Sequence, residues 1–175
     1  MTASPVQRPV KLRRGRMSDL TALLALEQVA FRSHRVSRRS FRHFLASPTA
    51  TLIVADDGNH TLAGYALVLY PPRSSLARLY SIAVAPHLGR RGIGALLLTS
   101  AEDASRRRGR HAMRLEVHEH NTRAIGRYEK SGYRLFGRHR AYYDDHGDAL
   151  RFEKPLGARP RTRRDDDLLP RANRP

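Results

Sequence analysis

The sequence predicts a mixed α/β fold in one domain. Segments with the two-residue alternation of β-strands take turns with segments whose apolar residues recur at helical spacing, in the order β-α-α-β-β-β-α-β-α-β-β. The length of 175 residues fits one domain, and 40% hydrophobic residues can supply its core. The central β-α-β unit requires a parallel crossover, whereas the outer strands are expected to be antiparallel. We therefore expect a mixed central sheet of about seven strands with helices on both faces.

The elements of the N-terminal half follow from these periods and from turn residues. We predict a first strand over residues 10–16, then a helix capped by Ser18 or Asp19 that runs to residue 31. A second, shorter helix over residues 37–47 ends before Pro48. Residues 50–70 alternate around a turn at 57–59, which predicts a β-hairpin.

The C-terminal half continues with a strand that Pro86 closes and a long helix over residues 92–108. Residues 112–118 form the next strand, and Asn121 is predicted to cap a short helix that ends at Lys130. The last two strands, over residues 133–143 and 148–156, are expected to pair as a hairpin.

Composition limits the function classes open to this chain. No cysteine is present, which excludes disulfides, thiolate metal sites and a cysteine nucleophile within these residues. No apolar run reaches the ~20 residues of a membrane span, and residues 1–15 lack a signal-peptide core, so we expect a cytoplasmic protein without membrane contacts. Residues 1–9 are predicted to be a flexible leader and 157–175 a disordered tail, which leaves 10–156 as the domain.

The chain carries a net charge of +17, from 33 lysine and arginine residues against 16 aspartate and glutamate residues. Such a charge fits a polyanionic partner such as RNA, the ribosome or a phosphorylated cofactor. It also fits the arginine-rich composition that a GC-rich genome gives. The arginines are scattered along the chain rather than set in one stripe among aromatic residues, so contact with nucleic acid stays an open interpretation.

A glycine-rich turn lies between the strand that ends near residue 84 and the long helix. Gly89, Gly92 and Gly94 have the spacing G-x-x-G-x-G, which is neither the dinucleotide fingerprint nor the phosphate-binding loop of NTPases. At such a turn, backbone N–H groups converge on the positive end of the helix dipole, an arrangement that suits a diphosphate. Arg90 and Arg91 can add positive charge at the rim. A plain connecting loop that uses glycine for tight packing is the alternative.

The segment "SIAVAPHLGRRGIGALLLTSAEDASRRRG" resembles the acetyl-CoA-binding motif of the GNAT superfamily of N-acetyltransferases, Gln/Arg-x-x-Gly-x-Gly/Ala. The next segment, "RLEVHEHNTRAIGRYEKSGYRLFGRHRAYY", is similar to the bacterial RimI-like type, which acetylates the N-terminal alanine of a ribosomal protein. The resemblance covers residues 10–156 and implies the GNAT fold. Gly89 stands where the family has Gln or Arg; since main-chain amides supply much of the grip on the cofactor, we expect binding to survive, with Arg90 as a substitute donor.

The resemblance implies acetyl-CoA as the co-substrate and no metal. In the family, a bulge in the strand before the glycine turn opens the sheet, and backbone groups of that strand follow the pantetheine arm. The positions of this sequence that match the cofactor site are Ile82, Ala83, Val84, Arg90, Arg91, Gly92, Ile93, Gly94, Ala95 and Asn121.

Glu116 is the candidate general base. In the strand over residues 112–118, Arg114, Glu116 and His118 point away from the apolar positions, so this carboxylate faces the cleft side of a central strand. A salt bridge to Arg114 or to another arginine is the alternative. The resemblance gives this position the role of proton acceptor, acting through water.

Tyr128 is the candidate general acid. A phenol has an ordinary pKa of ~10, above that of a typical thiol, and can therefore protonate a departing thiolate. A half-buried packing tyrosine is the alternative. With no cysteine nucleophile available, direct attack of the amine in a ternary complex is the simpler reaction.

Two further groups of residues are candidate sites. Tyr142 and Tyr143 either line the mouth for the acceptor or pack as a hairpin pair. His118 and His120 lack a third ligand at a recognisable spacing, so we expect no metal site there.

The sequence therefore predicts an acetyl-CoA-dependent N-acetyltransferase whose acceptor is a protein N-terminal α-amine, of a ribosomal protein in the RimI-like case. The α-amine is favoured because its ordinary pKa is ~8 against ~10.4 for lysine. A lysine side chain and a small-molecule amine are alternative acceptors, and the charge argues against a very basic peptide. A function of another class, a basic module that binds RNA or the ribosome and has a degenerate acetyl-CoA site, also stays open.

Overall fold

In the computed structural model, which describes residues 9–58, 61–89 and 91–157, a seven-stranded sheet crosses the molecule in the order β1-β2-β3-β4-β5-β7-β6. The strands are β1 (Lys11–Arg14), β2 (Ala50–Asp56), β3 (Leu62–Leu69), β4 (Leu76–Val84), β5 (Ala112–His118), β6 (Arg134–His139) and β7 (Ala149–Pro155). The helices are α1 (Leu20–Ala30), α2 (Arg38–Ala46), α3 (Ile93–Arg107) and α4 (Thr122–Lys130). The predicted order of helices and strands is confirmed.

Strand pairing also follows the prediction. β4 and β5, joined by the α3 crossover, are parallel, and the other neighbouring strands pair antiparallel. The middle strands are buried on both faces because helices cover both. One core layer lies between the sheet and α3 with α4, and the second lies between the sheet and α1 with α2. The predicted mixed α/β architecture is therefore confirmed.

β4 contains one extra residue. After it, the alternation of β4 side chains between the two faces of the sheet is shifted by one position. Leu79 pairs with Val68 of β3 but the next pair joins Ser81 to Leu67, so Tyr80 is a β-bulge without a partner in the ladder. Before the bulge, Ala77 and Leu79 point into the α3 layer; after it, the residue in the α1 layer is Ala83. A one-residue shift moves every later side chain to the opposite face.

The same bulge marks the point where β4 and β5 separate. In the described part of the chain, the ladder between these strands covers only Leu76–Leu79 of β4, paired with residues 112–115 of β5. β4 continues to Val84 and β5 to His118. The ends of the two strands diverge and leave a gap in the centre of the sheet.

The predicted start of the fold needs two corrections. β1 ends at Arg14 rather than residue 16, and a 3-10 turn over Met17–Asp19 precedes α1. Neither Ser18 nor Asp19 caps α1 with its side chain, because the Asp19 carboxylate is used elsewhere. It accepts the Arg16 N–H at 2.7 Å and pairs with the Arg13 guanidinium at 2.8 Å.

The last hairpin forms as predicted, but β6 ends at His139 instead of residue 143. Ala141 has a left-handed φ of 45°, and its N–H donates to the Asp148 carboxylate at 2.9 Å, so the chain turns there. Asn121 caps α4 as predicted, with its side chain accepting the Ala124 N–H at 3.2 Å. The predicted leader over residues 1–9 and the predicted tail over residues 157–175 lie outside the described residues, except for residues 9 and 157. Residues 59–60 of the hairpin turn also lie outside the described residues.

A buried carboxylate ties α1 to the sheet beside the bulge. Glu27 is 1% exposed; one of its oxygens accepts the Val36 N–H at 2.6 Å and the other accepts the Tyr65 hydroxyl. The Tyr65 hydroxyl also lies 2.7 Å from the hydroxyl of Ser81, the residue that directly follows Tyr80 in β4. The loop between α1 and α2 and the bulged strand are thus held by one hydrogen-bond network.

We predict that Glu27→Ala lowers the free energy of unfolding by about 2–4 kcal/mol, because it leaves the buried Val36 N–H and the Tyr65 hydroxyl short of an acceptor. Chemical denaturation measures this change, and Glu27→Gln, which keeps an acceptor oxygen, is the milder control. A loss from Ala no larger than the loss from Gln would contradict the role of the network.

The difference in stability between wild type and the Glu27→Gln control also depends on pH. Burial raises the pKa of the Glu27 carboxyl, so the folded state favours its protonated form. This contribution to stability is complete below the ordinary value of 4.5 and is lost as the pH rises through the folded-state pKa. Wild type therefore gains stability relative to Glu27→Gln as the pH falls toward 4.5.

Candidate active site

A cleft of about 560 Å³ opens where β4 and β5 diverge. Its walls come from the loop between α1 and α2, the strand β4, the end of β5, the first turns of α4 and the turn between β6 and β7. The predicted site residues that line it are Ile82, Ala83, Val84, Glu116, Asn121, Tyr128, Tyr142 and Tyr143. The divergence of the strands thus brings side chains that are far apart in the sequence to one cavity.

Glu116 lies on the cleft face of β5, with 14% of its side chain exposed. Its neighbours in the strand, Leu115 and Val117, point into the α3 layer, as the alternation predicted. Both carboxylate oxygens face arginines: Oε2 accepts from Arg78 Nε at 3.0 Å, and Oε1 lies 3.9 Å from Arg151 Nε.

The salt bridge considered for Glu116 in the sequence is therefore present, but not with Arg114. Arg114 pairs with Glu153, which lies directly opposite it on β7. Arg151 lies directly opposite Glu116 in the same ladder, and Arg78 reaches it from β4. Strand register, which the local sequence does not reveal, decides these partners.

Tyr128 projects from α4 into the core beside the cleft and is only 6% exposed. Burial raises the pKa of its hydroxyl to about 12. No hydrogen bond to this hydroxyl is formed by the described residues. The phenol consequently stays protonated at neutral pH and has a proton to donate toward the cavity it lines.

The glycine turn contributes Gly89 to the wall of the cleft and leads directly into α3. Gly92 adopts a left-handed φ of 73°, a conformation that suits glycine, and precedes the first helical residue. The N–H groups of Ile93 and Gly94 belong to the first turn and have no partner within the helix. The Ala95 N–H already donates to the Gly92 carbonyl at 3.0 Å. Two main-chain donors and the helix dipole are thus available to an anion.

Two arginines of α4 face this turn, and sequence reasoning missed both. The Arg123 guanidinium donates to the Gly89 carbonyl at 2.5 Å. A Cβ placed on Gly94 would lie 2.6 Å from Arg127 Nη1, so that guanidinium rests against the start of α3. Their spacing of four residues puts them on one face of α4, which was a signal the sequence offered.

Of the two arginines that the sequence favoured at this turn, only Arg91 lies within the described residues. Arg91, Gly92 and Ala95 line a second groove along the outer face of α3, next to the exposed Leu96. The Ile93 side chain is buried in the core, which leaves only its backbone for a ligand. Arg90 lies outside the described residues.

The two tyrosines predicted at the acceptor mouth both line the cleft. Tyr143 packs between the rings of His34 and His118, with centroids 5.1 and 4.8 Å away. Tyr142 is 46% exposed and its hydroxyl accepts from Arg78 Nη2 at 3.2 Å. They also contact each other edge to face at 5.1 Å, so the lining and packing alternatives both hold.

Neither a metal-binding cluster nor a membrane-spanning helix is formed by the described residues. Within residues 9–58, 61–89 and 91–157, no group of three or more His, Cys, Asp or Glu side chains is placed to hold a metal ion. None of the helices in that part of the chain has the length and hydropathy needed to cross a membrane.

The family of this protein follows from sequence comparison. Residues 18–133, more than half of the chain, match the profile of the acetyltransferase (GNAT) family. The chain therefore belongs to the GNAT family, as the resemblance of its motifs indicated, and the seven-stranded sheet is the fold of that family's solved members.

Individual relatives narrow the comparison. Streptothricin acetyltransferase of Streptomyces lavendulae is 37% identical over 90 residues, 51% of this chain and 47% of that protein. The ribosomal protein bS18-alanine N-acetyltransferase of Salmonella typhimurium is 37% identical over 83 residues, 46% of this chain and 56% of that protein. The match thus spans about half the length of these curated relatives.

The crystal structure of the ribosomal-protein-S18-alanine N-acetyltransferase from Escherichia coli is similar over more of the chain. It superimposes with a TM-score of 0.75 at 27% identity, covering 84% of this chain and 94% of that one. The similarity of the fold therefore extends well beyond the segments that align in sequence.

We predict that Arg123→Gln together with Arg127→Gln raises the Kd for coenzyme A about tenfold or more, because two cations are removed from the anion-binding end of the cleft. Titration calorimetry measures the Kd. Lys130→Gln removes a charge from the exposed end of the same helix and is the control. A loss of binding free energy per removed charge that is as large for Lys130→Gln as for the double variant would mean that only overall charge matters.

Proposed function

We propose that this protein is an acetyl-CoA-dependent N-acetyltransferase that acts on the α-amine at the N-terminus of a protein. The observation that carries the proposal is the meeting, in one cleft, of a carboxylate and a protonated phenol beside a helix N-terminus. Membership of the GNAT family supports the reaction class. The acceptor is supported by the two relatives named as bS18-alanine N-acetyltransferases.

The chemistry of the cleft fits acetyl-CoA, which would supply the acetyl group as a thioester. The amides of Ile93 and Gly94 with the guanidinium groups of Arg123 and Arg127 are donors suited to its diphosphate. The part of β4 beyond Leu79, which β5 leaves unpaired, offers main-chain groups over Ile82–Val84 to an extended arm. Asn121 lies at the same end of the cleft.

The two candidate catalytic side chains divide the proton transfers. Glu116 accepts a proton from the acceptor amine, directly or through water, and so exposes the nitrogen lone pair. A nitrogen–carbon bond then forms to the acetyl carbonyl carbon as the carbon–sulfur bond breaks. Tyr128 donates its hydroxyl proton to the departing sulfur. After the attack, the nitrogen still carries one proton more than an amide does; it loses this proton as the amide forms, and the proton restores the Tyr128 hydroxyl. Glu116 releases its proton to solvent, so that an ammonium and a thioester give an amide, a thiol and one free proton.

An α-amine suits this cleft better than a lysine side chain does. A single carboxylate deprotonates an amine with an ordinary pKa near ~8 more readily than one near ~10.4. A ribosomal protein is the acceptor class that the bS18-alanine relatives suggest. A small-molecule amine is the second candidate, because streptothricin acetyltransferase is equally identical over a similar length.

A direct test incubates the full chain with acetyl-CoA and a panel of N-terminal and lysine peptides, and locates the acetyl group by mass spectrometry. We expect acetylation at α-amines and a loss of about 100-fold or more in kcat for Glu116→Gln, with the Kd for coenzyme A unchanged. Because the protein has no cysteine, thiol release can be followed without background.

Three outcomes decide among the alternatives. Acetylated lysines or small amines with unmodified N-termini would replace the proposed acceptor. Binding of RNA that weakens steeply with salt, without any thermal shift from acetyl-CoA, would favour the non-enzymatic alternative. Full turnover by Glu116→Gln would remove that residue from the mechanism.

We also predict that Tyr128→Phe lowers kcat without changing the thermal unfolding midpoint by more than a few degrees, since Phe fills the same buried space. The hydroxyl of Tyr128, with a pKa of about 12, stays protonated throughout the neutral and mildly alkaline range. Deprotonation of Tyr128 should therefore lower kcat only above about pH 11. A variant with lower stability but normal kcat would make Tyr128 a packing residue only.

A further inference from the structure

Arg78 occupies the position where an acceptor amine has to reach the proposed base. Its Nε donates to Glu116 Oε2 at 3.0 Å and its Nη2 donates to the Tyr142 hydroxyl at 3.2 Å. The residue lies in β4 two positions before the bulge, and 38% of its side chain is exposed to the cleft and solvent. The guanidinium is thus held by side chains at the mouth and is accessible from it.

The other arginine at Glu116 cannot be replaced as easily. Arg151 Nε lies 3.9 Å from Glu116 Oε1, and this nitrogen is buried without a hydrogen-bond partner among the described residues. Its guanidinium also packs on the Phe136 ring at 4.6 Å. Two guanidinium groups therefore face one carboxylate. Of these two groups, only the guanidinium of Arg78 is positioned to leave.

The acceptor end of the cleft is consequently positive. Arg32 and Arg78 line the cleft, and Glu116 is the only carboxylate among the described lining residues. Asp144 and Asp145, in the turn between β6 and β7, are 86% and 65% exposed and pair with His34 and His118. A basic acceptor would meet these cations, whereas an acceptor with its own carboxylate could attract Arg78.

We propose that Arg78 binds a carboxylate of the acceptor and, in doing so, releases Glu116 Oε2 to take the proton of the acceptor amine. This inference rests on the proposed function and names its substrate class: an amine that carries a carboxylate a few atoms away. Because Nε and Oε2 are only 3.0 Å apart, the two acceptor groups must be close neighbours. An N-terminus with an acidic residue at its first or second position meets this requirement, and so does a free amino acid.

The test uses the full chain, acetyl-CoA and pentapeptide amides that differ only at the second residue, Asp, Asn or Lys after an N-terminal Ala. We expect kcat/KM for the Asp peptide to exceed that for the Asn peptide by about tenfold, the scale of one charge-assisted hydrogen bond, with the Lys peptide lowest. Free alanine, which has only its α-carboxylate, distinguishes the amino-acid source from the peptide source.

Arg78→Gln should abolish the advantage of the Asp peptide, so that kcat/KM for the Asp and Asn peptides differs by less than about twofold, since a neutral amide side chain no longer attracts the carboxylate of the second residue. Arg114→Gln is the matched control, because Arg114 faces Arg78 in the ladder, pairs with Glu153 and has the same 38% side-chain exposure. We expect the control to keep the preference of wild type.

Equal rates of wild type on the Asp and Asn peptides would overturn this role of Arg78, whether or not the variant folds. So would an unchanged preference in a folded Arg78→Gln protein. Failure to acetylate any peptide or free alanine would instead overturn the proposed function itself.

Discussion

The single extra residue in β4 is the constraint on which the rest of the site depends. In a regular β-strand, every second side chain would point toward α3 along the whole strand. The bulge at Tyr80 shifts this alternation by one residue, and the ladder between β4 and β5 ends at the same place. A gap in the middle of a sheet leaves main-chain groups without strand partners, which is unfavourable unless something else satisfies them. The unpaired part of β4 is therefore where we propose that an extended ligand binds.

Two networks of side chains lie beside this gap. On the α1 side, Glu27 and Tyr65 anchor Ser81 immediately after the bulge. On the open side, Arg78 connects β4 to Glu116 of β5 and to Tyr142 of the last turn. The catalytic carboxylate proposed here is thus also part of the structure around the cleft, and freeing it for chemistry requires a replacement anion for its arginine.

Much of the fold could be predicted from the sequence because periodicity and turn residues report on local structure. The order of elements, the crossover and the Asn121 cap all follow from residues close together in the chain. The arginine that pairs with Glu116 could not be predicted in this way, because the pairing depends on how β4 and β5 are aligned. The presence of Arg123 and Arg127 at the glycine turn did not follow from the local sequence either, since the packing of α4 against the turn brings these cations to it.

The most direct test of the account is a crystal structure of the protein with coenzyme A. We expect the diphosphate on the Ile93 and Gly94 amides, the arm along Ile82–Val84 in the gap beside β5, and the sulfur next to the Tyr128 hydroxyl. Coenzyme A bound outside the gap, for example in the groove along the outer face of α3, would contradict the claim that the divergence of β4 and β5 creates the active site.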